Sequence, residues 1–146
     1  MVRLKLSIEP IPISTWGKSL ANRLPKKEWD DMRTQAYREA DYKCQVCGDI
    51  NGTLNAHEQW AFNEKLGIQK LVGIEVCCET CHNVHHFGRS KAVFPKHYIE
   101  KLITHWCTVN GLTRNDFIVH ERGMHAISRK RADKYYIVKV GRRTIV

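Results

Sequence analysis

No stretch of this 146-residue chain reaches about 18 consecutive apolar residues, so a membrane-spanning helix is not expected. Internal repeats and low-complexity tracts are also missing, which points to one packed domain rather than an array or a linker. The first residues, Met1-Val-Arg-Leu-Lys-Leu-Ser-Ile-Glu-Pro10, lack the apolar run and small-residue cleavage site of a signal peptide. The expectation is therefore a cytoplasmic protein. Acidic residues are scarce in one half. Residues 1–86 hold 11 Lys+Arg and 11 Asp+Glu, whereas residues 87–146 hold 13 and 4, so the whole net charge of +9 falls in the second segment. A basic segment of this kind suits a phosphate-backbone binder, although solvated surface charge would look the same.

Six cysteines are present, and four form two Cys-x-x-Cys pairs, Cys44/Cys47 and Cys78/Cys81. In a reducing cell two such pairs favour one tetrahedral Zn²⁺ over disulfides. No thioredoxin-like βαβ pattern surrounds either pair, which argues against thiol-redox chemistry. Cys77 and Cys107 are read as buried small hydrophobes. Directly after the second pair come His82, His85 and His86. A helix starting at that knuckle carries His82 and His86 on one face, as a second metal site needs. His85 is expected at the surface or facing nucleic acid, and His97, His105, His120 and His125 show no partner spacing.

Residues 1–24 read as an N-terminal arm, with Pro10 and Pro12 interrupting an alternating run that fits an edge strand or extended segment. Ser14-Thr-Trp-Gly17 reads as a turn with Trp16 as its anchor. A helix runs from Pro25 to about Asp41, within a 25–43 segment, with Trp29, Met32, Ala36 and Ala40 facing the core. Thr53 to Phe62 and Leu71 to Cys77 read as antiparallel strands, joined by the polar loop Asn63-Glu-Lys-Leu-Gly67. On a strand His57 and Glu58 point to opposite faces unless a bulge re-aims one. A short helix follows, about Glu79 to Phe87, ended by the basic turn Gly88-Arg-Ser-Lys91. The 91–146 segment is expected to hold a helix from Pro95 to about Asn110 with Gly111 as its stop. A further helix, opened by a capping box at Thr113-Arg-Asn-Asp116, should run to about Arg131, before a strand over Tyr135–Val140.

The order of knuckle, strand with His57-Glu58, second strand, second knuckle and a helix opening Cys81-His82-x-x-x-His86 resembles the HNH endonuclease family over residues 44–90. The resemblance implies an α+β fold with a ββα-metal (HNH, or His-Me finger) core stapled by a four-cysteine zinc site, with flanking helices and a C-terminal strand. It implies Cys44, Cys47, Cys78 and Cys81 as structural zinc ligands. His57, His82 and His86 become ligands of a catalytic divalent ion (Mg²⁺, Mn²⁺, Ni²⁺ or Zn²⁺), and Glu58 becomes the general base. In the alternative register His57 is the base and Glu58 the ligand, and imidazole does suit a base near neutral pH. Two positions depart from the pattern. Glutamate stands at Glu58, where the family has its base histidine, and Gly73 stands where its middle asparagine is expected; Asn63 and Asn83 are possible substitutes. The implied activity is hydrolysis of phosphodiester bonds in nucleic acid, DNA in the first instance. The other reading is a non-catalytic zinc-stabilised module that binds nucleic acid. Arg89, Lys91, Arg129, Lys130 and Arg131 are the candidate phosphate contacts, and Trp60 is read as core.

Overall fold

The computed structural model describes residues 3–12, 15 and 18–145; the expected turn around Trp16 lies outside them. Among these residues the fold is α+β, with six helices and one four-stranded mixed sheet of order β1-β2-β3-β4.

Strand β1 (Leu54–Asn63) and strand β2 (Ile68–Cys78) form an antiparallel hairpin, longer at the tip than the sequence pattern indicates, since β1 runs on to Asn63 and β2 begins already at Ile68. Asn63 explains the tight connection. Its Oδ1 accepts the Leu66 amide at 2.9 Å, and Gly67 follows with φ +65°, where a side chain would be strained. The pairing shifts between Gln59 and Trp60, leaving Val72 as the extra residue of a bulge. That irregularity comes after His57 and Glu58, so their alternation survives. His57 pairs with Glu75 on one face, and Glu58 pairs with Ile74 on the other. β1 is an edge strand, so a groove running past its free edge reaches both faces at once.

Helix α1 (Leu20–Arg23) is a single turn that the sequence pattern did not suggest. Helix α2 (Lys26–Glu39) has no fully buried residue. Its Trp29 and Met32 cover one small core, built on Leu20, Leu24 and Val140 with Trp60, Leu71 and Ile74 from the hairpin. Helix α3 (Glu79–His85) leaves β2 without an intervening residue, and the Cys78 sulfur caps it by accepting the Cys81 amide at 3.4 Å. At His86 the backbone steps out of helical geometry (φ −99°, ψ 42°) and re-enters it as helix α4 (Phe87–Val93). The basic stretch after His86 is thus helix rather than a turn. The Ser90 hydroxyl locks the step by donating to the Asn83 carbonyl at 2.7 Å.

Helices α5 (Lys96–Asn110) and α6 (Arg114–Arg131) fall where the pattern places them. Gly111 stops α5 with φ +64°, and Thr113 and Asp116 form a reciprocal capping box on α6. They complete the larger core, where Leu102, Ile103, Trp106 and Phe117 meet Val84, Phe87 and Cys77. Strand β3 (Ile137–Val140) pairs in parallel with β2. The chain does not run on past Gly141; it reverses there at φ +59° into strand β4 (Arg143–Ile145). No helix among the described residues is long and apolar enough to cross a membrane.

The arm is neither strand nor loose. Residues 3–12 run without strand pairing, and they bury Leu6 and Ile8 in the larger core, with Pro12 buried as well. Side chains replace the missing ladder. The Asn110 carboxamide accepts from Lys5 N at 2.8 Å and Leu6 N at 3.2 Å, and donates to Leu6 O at 2.9 Å. His120 Nε2 accepts the Ile8 amide at 2.9 Å, and Arg131 donates to Pro10 O at 2.8 Å.

Candidate metal centre

The first donor set comes from the two knuckles. In the first, Gly48 N–H donates to Cys44 O and Cys44 N–H to Asp49 O, with Gly48 at φ +81°. The second is the β2–α3 junction. Together they bring four Sγ atoms within 4.8 Å of one another, with Cys44–Cys81 at 3.8 Å and Cys47–Cys78 at 3.7 Å. A tetrahedral ion with Zn–S bonds of about 2.3 Å requires S···S edges of about 3.8 Å, so the four cysteines could hold a metal such as zinc. Amides support the sulfurs: Cys47 N–H and Cys81 N–H each point at the first sulfur of their own knuckle at 3.4 Å. The Cys78 thiol is drawn down to about 5, first by hydrogen bonding from Cys81, whose own thiol that same bond pushes up. Burial pushes Cys47 up to about 11, so without an ion the four sulfurs hold protons unequally.

Sequence spacing missed one member of this environment. His105 on α5 lies with Nε2 3.1 Å from Cys81 Sγ. A thiolate has no proton to give, so with a metal bound the imidazole is the donor. The signal was not available in the sequence, because residues 81 and 105 meet only through the packing of α3 on α5. Cys77 is fully buried beside this set and Cys107 partly so, both as small hydrophobes.

The second donor set is made of imidazoles. His57 from β1, His82 from α3 and His86 at the α3–α4 step place one ring nitrogen each within 4.8 Å of the others. The His57 ring stands edge-on to His82 and His86, with centroids at 5.4 Å and 5.1 Å. His57 is 3% exposed. Burial first, and then the neighbouring His57, lower His82 to about 4 and His86 to about 3, so both rings are neutral donors at pH 7. Glu58 belongs to none of the donor groups among the described residues. Its carboxylate accepts the Leu20 amide at 3.0 Å on the opposite face of the strand, and burial raises its pKa.

His85 is not at the surface. It is 4% exposed and stacks on His57 with centroids 4.4 Å apart and planes 6° apart. Its Nδ1 lies 2.8 Å from Ser7 O and its Nε2 2.7 Å from Glu75 Oε1. Both partners accept, so both ring nitrogens donate and the ring is an imidazolium. Burial opposes that charge, but the Glu75 hydrogen bond and the charges of Glu9 and Glu75 outweigh it and raise the pKa.

The imidazoles stand in a cleft of about 840 Å³ that wraps the free edge of β1. Its wall includes Glu9, Glu58, Trp29 and Trp60, and its cationic side chains are Lys18, Arg89, Lys91 and Arg122. Trp60 also packs on the smaller core, as expected. Arg89 is exposed at the rim. Lys91 pairs with Glu121 at 2.5 Å and lies over the Phe87 ring. Arg129 and Lys130 are exposed outside the cleft. Arg131 is committed internally: its side chain is 14% exposed, pairs with Glu64 at 2.7 Å and covers the Phe62 ring at 3.8 Å. Arg122 and Lys18 went unnoticed in the sequence because an isolated cation carries no pattern.

The space beside Gly73 is taken. A Cβ there would stand 3.0 Å from Gln59 Oε1, and the Gln59 amide in turn donates to Glu75 at 3.4 Å. Neither candidate substitute asparagine is free for a site. Asn83 is buried and donates to the Tyr98 hydroxyl at 2.9 Å, and Asn63 serves the hairpin turn. No family model, no curated protein and no solved structure matches this chain.

Proposed function

We propose that the protein is a metal-dependent endonuclease of the HNH type that hydrolyses phosphodiester bonds in nucleic acid, DNA in the first instance. The observation that carries the reading is the convergence in one cleft of His57, from between the two cysteine pairs, with His82 and His86, directly after the second. In this reading β1, β2 and α3 are the ββα-metal core, and Cys44, Cys47, Cys78 and Cys81 hold a structural Zn²⁺.

The buried His57 Nε2 has no aligned hydrogen-bond partner, and two further neutral imidazoles face it; this donor set fits a divalent ion. Imidazoles favour a borderline transition metal over Mg²⁺. When bound, the ion would offset charge on the phosphate oxygens in the transition state. The remaining work falls to the chain. Arg89, Lys18 and Arg122 draw the phosphate backbone into the cleft. Glu58, raised by burial into a more basic range, is the group suited to take a proton from the attacking water, and the Leu20 amide fixes its orientation. His57 is then the ligand rather than the base, because Glu58 has no place among the donors.

One observation favours a second reading, a zinc-stabilised nucleic-acid-binding module without chemistry: the Gln59 carboxamide occupies the space beside Gly73. Supercoiled plasmid incubated with Mg²⁺, Mn²⁺, Ni²⁺ or Zn²⁺ separates the two. Nicking by the native chain that is lost in a His82→Ala, His86→Ala double variant supports the nuclease. Salt-sensitive binding without nicking under any ion supports the module.

A further inference from the structure

The N-terminal arm brings a carboxylate to the three imidazoles. Glu9 Oε2 lies 2.8 Å from His57 Nε2, yet that fully buried nitrogen has no hydrogen bond of acceptable alignment. At such a separation an N–H donor aimed at a carboxylate would make a short, strong bond. Two ligands of one ion behave differently, because each points at the ion and not at the other. With metal–donor distances of about 2.1 Å and a right angle between them, nitrogen and oxygen stand about 3.0 Å apart, the oxygen about 45° off the ring's lone-pair axis. Close approach without alignment leaves the carboxylate beside the nitrogen that would face an ion, with no hydrogen bond tying it there.

We propose that Glu9 is a further protein ligand of the ion held by His57, His82 and His86, which rests on the metal-centre reading given above. The backbone on either side of Glu9 is fixed. Ile8 N–H donates to His120, Glu9 N–H donates to the His85 carbonyl at 2.9 Å, and Pro10 O accepts from Arg131. The other oxygen, Oε1, faces the His85 imidazolium at 3.7 Å. His85 cannot itself be a ligand, since both of its nitrogens donate to Ser7 and Glu75. The tight donor groups hold Glu9 with His57 and His85 rather than with His82 and His86. Placing Oε2 on the ion therefore takes a rotation of the Glu9 side chain while its anchored backbone stays put. An oxygen donor makes the set harder than three imidazoles alone and brings Mn²⁺ within its range.

The test is a titration of Co²⁺ into the full chain with Zn²⁺ kept in the four-cysteine site, following affinity and the visible d–d bands. Glu9→Gln is expected to weaken Co²⁺ binding at least about 10-fold, the lower end of what even an outer carboxylate partner contributes, and to change the bands. Glu9→Asp, which keeps the charge on a shorter stem, should fall between the two and serves if the Gln variant does not fold. Unchanged affinity in both variants overturns the proposal. So does weaker binding with unaltered bands, which would make Glu9 a positioning residue outside the ligand shell. Binding that survives in the His82→Ala, His86→Ala double variant sinks the three-imidazole site itself; loss there with native affinity in Glu9→Gln sinks only the role of Glu9.

Discussion

Asn110 is the side chain on which the arm depends, and Asn110→Ala shows how much. The substitution removes three hydrogen bonds to the backbone of Lys5 and Leu6, at 2.8, 3.2 and 2.9 Å. It also removes a bond to Trp106 O one turn back. At about 1 kcal/mol net for each bond, the three to the arm total about 3 kcal/mol. Leu6 is 1% exposed, so its amide and carbonyl cannot turn to water without lifting the side chain out of the core. The exposed Lys5 amide can, which trims the expectation to between about 2 and 3 kcal/mol. For a domain of this size that is roughly a 5–10 °C fall in Tm. Urea unfolding of the native and variant chains, metal-loaded in both cases, measures it. Limited proteolysis at Lys5 gives a second reading, since a detached arm exposes that bond. A loss below about 0.5 kcal/mol with an equally protected arm would refute the reasoning, because it would mean the arm is held by apolar burial alone.

His105→Ala removes the donor beside Cys81, and metal retention by the four-cysteine site against a chelator should weaken about 10- to 100-fold; native retention would count against the Nε2–Sγ contact. Arg89→Ala with Arg122→Ala should weaken binding to duplex DNA and lower the salt slope by about 0.9 per lost phosphate contact, whereas Arg131→Ala should lower stability and leave the slope alone. Equal slopes for the two variants would reject that division. In acid, His82 and His86 resist protons that the unfolded chain accepts near 6.5, since their folded values are about 4 and about 3. Their contribution is complete above about pH 6.5 and drains as pH falls towards those values, with a slope of at most about 2.7 kcal/mol per pH unit for two protons. His85, raised, acts in reverse and loses its contribution as pH climbs through its folded value. The His82→Ala, His86→Ala variant should therefore show a flatter acid limb in metal-free unfolding, and an unaltered limb would contradict the assignment of those two rings.

The parts of the fold legible in the sequence were those written in local chemistry. The Cys-x-x-Cys spacing placed four sulfurs together, the i,i+4 histidines came side by side although His86 sits at the break after α3, and Gly111 and the Thr113–Asp116 pair fixed helix ends where expected. The parts that stayed hidden depend on distance along the chain. Glu9 reaches His57 across the fold, His105 meets Cys81 by helix packing, and His85 is buried by an arm whose pattern, an edge strand or extended segment, named no partner for it. The helical restart after His86 was also out of reach, because Gly88 and a basic run look like a stop until the Ser90–Asn83 bond is seen. Arg131 misled for the opposite reason: a cation in a basic run looks available until an aromatic face and a carboxylate are found around it.

The arm has a consequence for the order in which the molecule assembles. Both donor sets close within residues 44–86, a short span that can gather as soon as it exists. The fasteners of residues 5–10 come from positions 85, 110, 120 and 131. Loops of that length close late, after the segments they join have formed. The arm, made before the residues that fasten it, is thus among the last pieces to settle, and Glu9 comes to His57 after the imidazoles and sulfurs have gathered.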